Sequence, residues 1–129
     1  MAKILAIDNE LGVLDTLRTI LVERGHEVIY ALSGEEGIAK FEKESPDIVI
    51  CDIKMPGKDG YTVLKEIKKD PSKWRPVIMF TVLNEMADIR KAYDYEADYY
   101  ITKPFKVEDI IKAIHTMLAL RDSRIKSKS

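Results

Sequence analysis

Five short apolar runs recur along the chain and are the strongest regularity in its sequence. They are KILAI (3–7), EVIYA (27–31), DIVIC (47–51), PVIMF (76–80) and DYYIT (98–102). Each run is nearly continuous in apolar side chains and rich in β-branched or aromatic ones. This pattern is typical of parallel strands that are covered on both faces. The runs therefore predict five strands of a parallel sheet.

Patterns of helical period lie between these runs and after the last one. The first ends at Gly25, a residue typical of helix C-termini, and the second begins with the capping-box sequence SGEE (33–36). The third begins at Asp59, which we interpret as a helix cap, and the fourth begins near Asn84. The fifth has the clearest apolar stripe, made of Val107, Ile110, Ile111, Ile114 and Leu118.

Strand–helix alternation repeated five times predicts one α/β domain, a doubly wound five-stranded parallel (βα)5 sheet with right-handed crossovers. The strand order 2-1-3-4-5 is the one we expect for this domain. Residues 1–120 are assigned to it. Residues 121–129, RDSRIKSKS, contain four basic residues and one acidic residue, and we expect them to form a flexible basic tail.

Composition places the chain among ordinary soluble globular domains, since 129 residues with 46% hydrophobic and 33% charged side chains can bury a core. The net charge of −1 favours neither nucleic acid nor membrane as a direct partner. The single cysteine, Cys51, excludes an internal disulfide and fits a reducing compartment. No apolar run has the length of a signal peptide or membrane span, so we expect a cytoplasmic protein.

Polar residues directly follow four of the five apolar runs. Asp8 and Asp52 follow the first and third runs, and Thr81 and Lys103 follow the fourth and fifth. Because the carboxyl ends of parallel strands share one edge of a sheet, where α/β folds bind ligands, these side chains should converge. Each has a plain explanation alone, such as a helix cap for Asp8. Four of them at different strand ends predict one site.

The residue types at this predicted site suit phosphoryl transfer. Asp8 and Asp52 offer the hard oxygen ligands that Mg²⁺ prefers, and Asn9 and Glu10 are further, weaker candidates. A metal would offset the repulsion between the carboxylates and hold a phosphoryl oxygen. A carboxylate nucleophile, a hydroxyl and an ammonium around one point provide the positioning and charge neutralisation that phosphoryl transfer needs.

These residues lie within four motifs: IDNE (7–10), CDIKMPGKDG (51–60), FTV (80–82) and YYITKPF (99–105). With them, the sequence resembles a response-regulator receiver domain, the CheY-like phosphorylatable module of two-component signalling, over about residues 2–120. The resemblance implies a flavodoxin-like fold, phosphorylation that depends on Mg²⁺, and no catalysis beyond the domain's own phosphorylation and dephosphorylation. It also implies a sensor histidine kinase or a histidine phosphotransfer protein as the phosphoryl donor.

The resemblance assigns a role to each matching residue. Asp52 would accept the phosphoryl group and also ligate the metal. Asp8 would support the metal, and the backbone carbonyl of Lys54 would be a further ligand. Thr81 would hydrogen-bond the phosphoryl group, and Lys103 would pair with it.

Three residues depart from the family pattern. Asn9 stands where a second aspartate usually ligates the metal, Val82 replaces a smaller residue after the threonine, and Glu96 replaces a glycine that commonly precedes Ala97. None of them removes the acceptor, the threonine or the lysine, so we still expect phosphorylation. The neutral Asn9 predicts weaker metal binding.

Signalling is expected through a protein-docking face. In the family this face is commonly formed by the fourth helix, the fifth strand and the fifth helix. Four of the six tyrosines lie in residues 93–100, where they either contribute to such a face or fill the core beside the edge strand. Tyr100 would be the aromatic residue that rotates on activation, and the Lys103–Pro104 bond would be cis.

Several alternatives remain open at this point. The chain reads as a stand-alone receiver, but it could be a fragment of a longer DNA-binding regulator, or a receiver-like docking module that acts without phosphorylation. A hydrolase with an aspartyl intermediate should carry two aspartates one residue apart after the first strand. A flavodoxin-like cofactor site should carry a Ser/Thr/Gly-rich phosphate loop there. The sequence DNELG (8–12) fits neither. His26 and His115 are too far apart in the sequence to suggest a site.

Overall fold

A computed structural model describes residues 1–82 and 97–128 of the chain. Five parallel strands form a single sheet in the order β2-β1-β3-β4-β5, which confirms the predicted order. The strands are β1 (Lys3–Ile7), β2 (Glu27–Ala31), β3 (Ile48–Asp52), β4 (Val77–Val82) and β5 (Tyr99–Lys103).

The described helices follow the strands as the sequence predicts. They are α1 (Leu11–Glu23), α2 (Gly34–Glu44), α3 (Gly60–Lys68) and a C-terminal helix (Val107–Lys128), with a short 3₁₀ turn (Pro71–Lys73) before β4. The predicted fourth helix near Asn84, together with Tyr93, Tyr95 and Glu96, lies outside the described residues. Within the described residues, no helix combines the length and apolar character needed to cross a membrane.

Two apolar layers cover the sheet, one on each face. Leu14 of α1 and Ile114 of the C-terminal helix pack on one face, and Phe41 of α2 and Leu64 of α3 pack on the other. Successive residues of each strand point to alternate layers, so a strand between two layers has no face for polar side chains. This explains the continuous apolar runs. Burial of each large aliphatic side chain stabilises the fold by roughly 2 kcal/mol.

Local signals in the sequence determine where α1 ends and where α2 begins. Gly25, at φ +86°, follows α1, and the N–H groups of Gly25 and His26 donate to the carbonyls of Val22 and Leu21 at 3.0 and 3.1 Å. This is a Schellman motif, whose left-handed residue favours glycine. At the start of α2, the Ser33 hydroxyl accepts from Glu36 N–H, as predicted.

The C-terminal helix extends further than the composition suggests. It continues to Lys128, through the basic segment for which the sequence predicts a flexible tail. Arg121 Nη2 lies 3.0 Å from Asp47 Oδ1, and the guanidinium of Arg124 lies 4.2 Å from the ring centre of Trp74. Both arginines of this segment contact the domain, which composition alone does not reveal, and the flexibility of the segment stays a prediction. A domain boundary at residue 120 stays a prediction.

Candidate functional site

Two buried carboxylates meet one ammonium at the carboxyl edge of the sheet. Asp8 follows β1 and Asp52 ends the neighbouring β3, and the two residues are only 1% and 7% exposed. Lys103, at the end of β5, places its Nζ 3.0 Å from Asp8 Oδ2 and 3.4 Å from Asp52 Oδ1. The structure therefore brings together three of the four polar residues that the sequence assigns to this edge.

Asp8 is held on both sides of its carboxylate. Oδ1 accepts from the backbone N–H of Glu10 at 2.9 Å, and Oδ2 accepts from Lys103. The N-cap residue of α1 is Glu10, which makes no side-chain capping hydrogen bond. The simple explanation of Asp8 as the cap of the first helix is therefore wrong. Its carboxylate holds the backbone just before α1 and contacts a residue on β5.

Burial and neighbouring charges change the pKa values of Asp52 and Lys103, which form this cluster with Asp8. Burial, followed by the charge of Asp8, raises the pKa of Asp52 to about 6, and Lys103 only partly offsets the rise. Burial by itself lowers the pKa of Lys103, but the hydrogen bond to Asp8 and the charge of Asp52 outweigh burial and raise it. With one ammonium for two carboxylates, the cluster has a formal charge of −1 when all three groups are ionised.

Thr81 lies on β4 beside this cluster. Phe80 is the register partner of Asp52, so Thr81 is one residue closer to the carboxyl edge. It is 3% exposed. Thr81 pairs with Thr102, and Met79 pairs with Tyr100. Because side chains two residues apart share a face of a sheet, Thr81 and Tyr100 lie on the same face. The Tyr100 ring is partly buried against the apolar layer of α2 and α3.

The loop after Asp52 is held close to the strand end by Gly60, the first residue of α3. Its N–H donates to the Ile53 carbonyl at 2.8 Å, and a Cβ at Gly60 would lie 2.3 Å from the Asp52 carbonyl oxygen. Only glycine permits this approach. Asp59 accepts from Thr62 N–H at 2.9 Å, which confirms its prediction as a helix cap. The sequence marks Gly60 only as a turn residue, since its neighbour across the loop is not visible there.

Beyond Lys103 the chain turns through a cis peptide bond to Pro104, as predicted. Phe105 then stacks on Phe80, with ring centres 5.2 Å apart and planes 8° from parallel. The Lys103 Nζ lies 5.5 Å from the centre of the Phe80 ring. Aromatic packing and the two carboxylates thus both constrain the lysine, which favours a single position for its ammonium.

The donor set fits a hard divalent cation such as Mg²⁺. Two buried carboxylates with an excess negative charge face this edge, and Asn9, Glu10 and Lys54 are exposed beside it. Among residues 1–82 and 97–128, no three His, Cys, Asp or Glu side chains are grouped closely enough to hold a metal. Mg²⁺ commonly keeps several waters and uses one or two carboxylates, so backbone carbonyl and water oxygens would complete its coordination.

Comparison with known proteins agrees with this geometry. The family described as response regulator receiver domain matches residues 4–115. The chain belongs to this family. Receiver domains are the signalling modules of two-component systems, and they are not classical enzymes. Magnesium and phosphorylation are general features of the family.

The proteins to which this chain is similar include longer regulators and chains of about its own length. It is 38% identical to "Probable transcriptional regulator ycf27" of Pyropia yezoensis over 120 residues, which are 93% of this chain and 49% of that protein. A CheY-like receiver domain protein of Methanospirillum hungatei superimposes with a TM-score of 0.88 at 30% identity, over 96% of this chain and 98% of that one. Vibrio cholerae CheY4 superimposes with a TM-score of 0.84 at 28% identity, over 92% and 99%. The chain spans about half the length of the curated relatives that it matches first.

Proposed function

We propose that this receiver domain accepts a phosphoryl group on Asp52 from a histidine kinase or a histidine phosphotransfer protein. The observation that supports the proposal is the buried Asp52 carboxylate, 3.4 Å from Lys103 Nζ and beside Asp8. An Asp52 oxygen attacks the donor phosphorus while the bond from phosphorus to the donor nitrogen breaks, leaving an acyl phosphate and a free histidine. Receiver domains of this family work with Mg²⁺, which would supply charge neutralisation at the phosphoryl oxygens.

The other residues of the site have defined parts in this proposal. Lys103 gives its positive charge to the phosphoryl group, and the Thr81 hydroxyl donates a hydrogen bond to it. Asp8, Asp52 and the Lys54 carbonyl would hold the metal. Asn9 and Glu10 are the weaker ligands, since both are exposed and Asn9 is neutral. Asp52 must be ionised to attack, and a cation at this edge would favour its ionised form.

The direct test is intact mass spectrometry after incubation with acetyl phosphate and Mg²⁺. We expect one added phosphoryl group on the wild-type protein and none on Asp52→Ala. The matched control is Asp59→Asn, which changes a nearby carboxylate to another good helix cap and should label as the wild type does. Labelling of Asp52→Ala would assign the acceptor to another residue, and an unlabelled wild type would favour a docking module that acts without phosphorylation.

Phosphorylation is further proposed to act through Thr81 and Tyr100 on the protein-docking face. Thr81 and Tyr100 lie on the same face of the sheet, which supports the proposal, because a shift of Thr81 toward the phosphoryl group would change the space beside the Tyr100 ring. The phosphoryl group provides contacts that only one of the two states makes, as a population shift requires. Thr81→Ala should still accept phosphate but lose most of the NMR shift changes around Tyr100. An unaltered response would show that the signal takes another route.

Two contexts for the domain remain proposals. A stand-alone receiver would signal by docking on a protein target, with no direct contact to nucleic acid or membrane. A receiver that is part of a longer DNA-binding regulator is supported by the names of longer relatives, among them the DNA-binding regulator RpaA of Synechocystis, of which the chain covers 51%. The length of the protein in cell extract, measured with an antibody to this domain, separates the two.

A further inference from the structure

The inward face of the C-terminal helix changes character along its length. Its buried positions are apolar up to Met117: Ile110, Ala113, Ile114 and Met117. The same spacing of three and four residues then continues with Arg121 and Arg124, so these two arginines lie on the face that packs against the sheet. None of residues 119–124 is fully buried. Between residues 119 and 124, Arg121 and Arg124 make the contacts with Asp47 and Trp74 of the domain.

Arg121 contacts a carboxylate that is itself fixed to the sheet. Asp47 precedes β3, and its Oδ2 accepts from the Lys3 backbone N–H at 2.8 Å. The other oxygen, Oδ1, lies 3.0 Å from Arg121 Nη2. Asp47 therefore joins the starts of two strands to the helix. Both side chains of this ion pair are about one quarter exposed, so the contact is open to screening by salt.

Arg124 contacts the chain's single tryptophan. Trp74 lies in the loop before β4, and its ring centre is 4.2 Å from the Arg124 guanidinium carbon and 5.0 Å from Lys68 Nζ of α3. Cations within about 6 Å of an aromatic ring are attracted by its quadrupole. The ring thus contacts a cation from each helical layer at the amino edge of the sheet, where the strands begin, opposite the carboxyl edge that holds Asp52.

We propose that residues 121–128 form a C-terminal strap, a helical segment that opens and closes against the amino edge of the sheet independently of the domain core. The Arg121–Asp47 ion pair and the Arg124–Trp74 contact hold the strap closed. Helix ends fray, and most helical stability in proteins comes from tertiary packing, so loss of these contacts unfolds the strap from the end of the helix. The apolar stripe up to Met117 keeps the rest of the helix in place.

Hydrogen exchange followed by NMR or mass spectrometry tests the strap directly. In the wild type we expect residues 121–128 to be protected, but less than residues 110–117. In the double variant Arg121→Gln/Arg124→Gln, the strap amides should exchange roughly tenfold faster, the effect of losing an exposed ion pair and a cation–π contact together. The exchange of residues 110–117 should not change. High salt should shift the wild type in the same direction.

The control variant is Arg24→Gln, which removes an exposed arginine at the end of α1 and should leave strap exchange unchanged. Trp74 fluorescence provides a second readout, because Arg124→Gln should alter its emission and Arg24→Gln should not. Equal strap exchange in the wild type and the double variant would overturn the proposal. So would equal acceleration of residues 110–117, since the segment would then not open independently.

Discussion

A largely buried lysine contacts aspartate at each end of the strands, but the ratio of positive to negative groups differs between the two sites. At the amino edge, the Lys68 ammonium contacts Asp98, and the same Asp98 oxygen accepts from Val77 N–H at 2.8 Å. Within the described residues, this ion pair joins one cation to one anion. At the carboxyl edge, Lys103 faces both Asp8 and Asp52. The Lys68–Asp98 pair is balanced in charge, whereas the cluster at the carboxyl edge has a carboxylate in excess.

This difference distinguishes a structural ion pair from the candidate functional cluster. The Lys68–Asp98 pair joins α3 to the start of β5, and its two charges offset each other. Burial, followed by the charge of Asp8, raises the pKa of Asp52 and so makes its ionised form unfavourable in the fold, an effect that a cation at this edge can relieve. Perturbed carboxylates in such an arrangement are typical of functional sites. The charge balance of a buried cluster therefore indicates its role better than burial alone.

The largest expected change in stability comes from breaking the Lys68–Asp98 ion pair. Lys68→Ala should lower the free energy of unfolding by about 3–5 kcal/mol, because it leaves the buried Asp98 charge without its cation. Urea denaturation followed by circular dichroism measures the change. Lys69→Ala is the control, since Lys69 and its partner Glu66 are both exposed, and it should change the stability little. Similar losses in the two variants would mean that the Lys68–Asp98 pair is not a buried structural contact.

A smaller change in the free energy of unfolding, of opposite sign, is expected when the charge of Asp52 is removed at the carboxyl edge. The pKa of Asp52 is raised in the fold, so the folded state binds this proton more tightly than the unfolded chain. Stability from this group is therefore present below about pH 4 and is lost as the pH rises to about 6 and beyond. Without metal, Asp52→Asn should stabilise the protein at pH 8 by about 2 kcal/mol, after allowance for solvent screening.

Urea denaturation in EDTA at pH 4 and pH 8 tests this expectation. The gain from Asp52→Asn should be large at pH 8 and nearly absent at pH 4, where the wild-type carboxyl is protonated. The Asp59→Asn control should keep the pH dependence of the wild type. A gain of equal size at both pH values would show that the effect comes from packing and not from the excess charge.

The smallest expected effect is on the affinity of the carboxyl edge for Mg²⁺. Asn9→Asp should tighten Mg²⁺ binding on the order of tenfold, about 1.4 kcal/mol, because it adds a third negative ligand. It should also destabilise the metal-free fold through like-charge repulsion. Isothermal titration of Mg²⁺ measures the affinity. Glu10→Gln is the companion variant, because Glu10 is the N-cap residue of α1 beside the site and its backbone N–H donates to Asp8.

Two outcomes decide between the candidate ligands. If Asn9→Asp tightens Mg²⁺ and Glu10→Gln has little effect, the charge at residue 9 controls the affinity. If Asn9→Asp equals the wild type and Glu10→Gln binds much more weakly, Glu10 has replaced the missing aspartate as a ligand. The second outcome would contradict the charge argument and would move the metal toward the start of α1.

Sequence periodicity and local chemistry determined most of the architecture. The five apolar runs correspond to the five strands, and Gly25 and Asp59 mark helix ends where local rules place them. The polar residues at the strand ends were also visible, because the carboxyl ends of parallel strands share an edge. These features are predictable since each depends on neighbours within a few residues, or on the topology that alternating strands and helices impose.

Only the tertiary structure decided how the charges pair. Lys103 and Asp8 are 95 residues apart in the sequence, and Lys68 and Asp98 are 30 apart. Arg121 and Arg124 appeared as part of a basic tail because composition does not show that Asp47 and Trp74 lie beneath them. Hydrophobic burial follows local pattern, but the partner of a charge depends on which distant backbone segments the fold brings within a few ångströms.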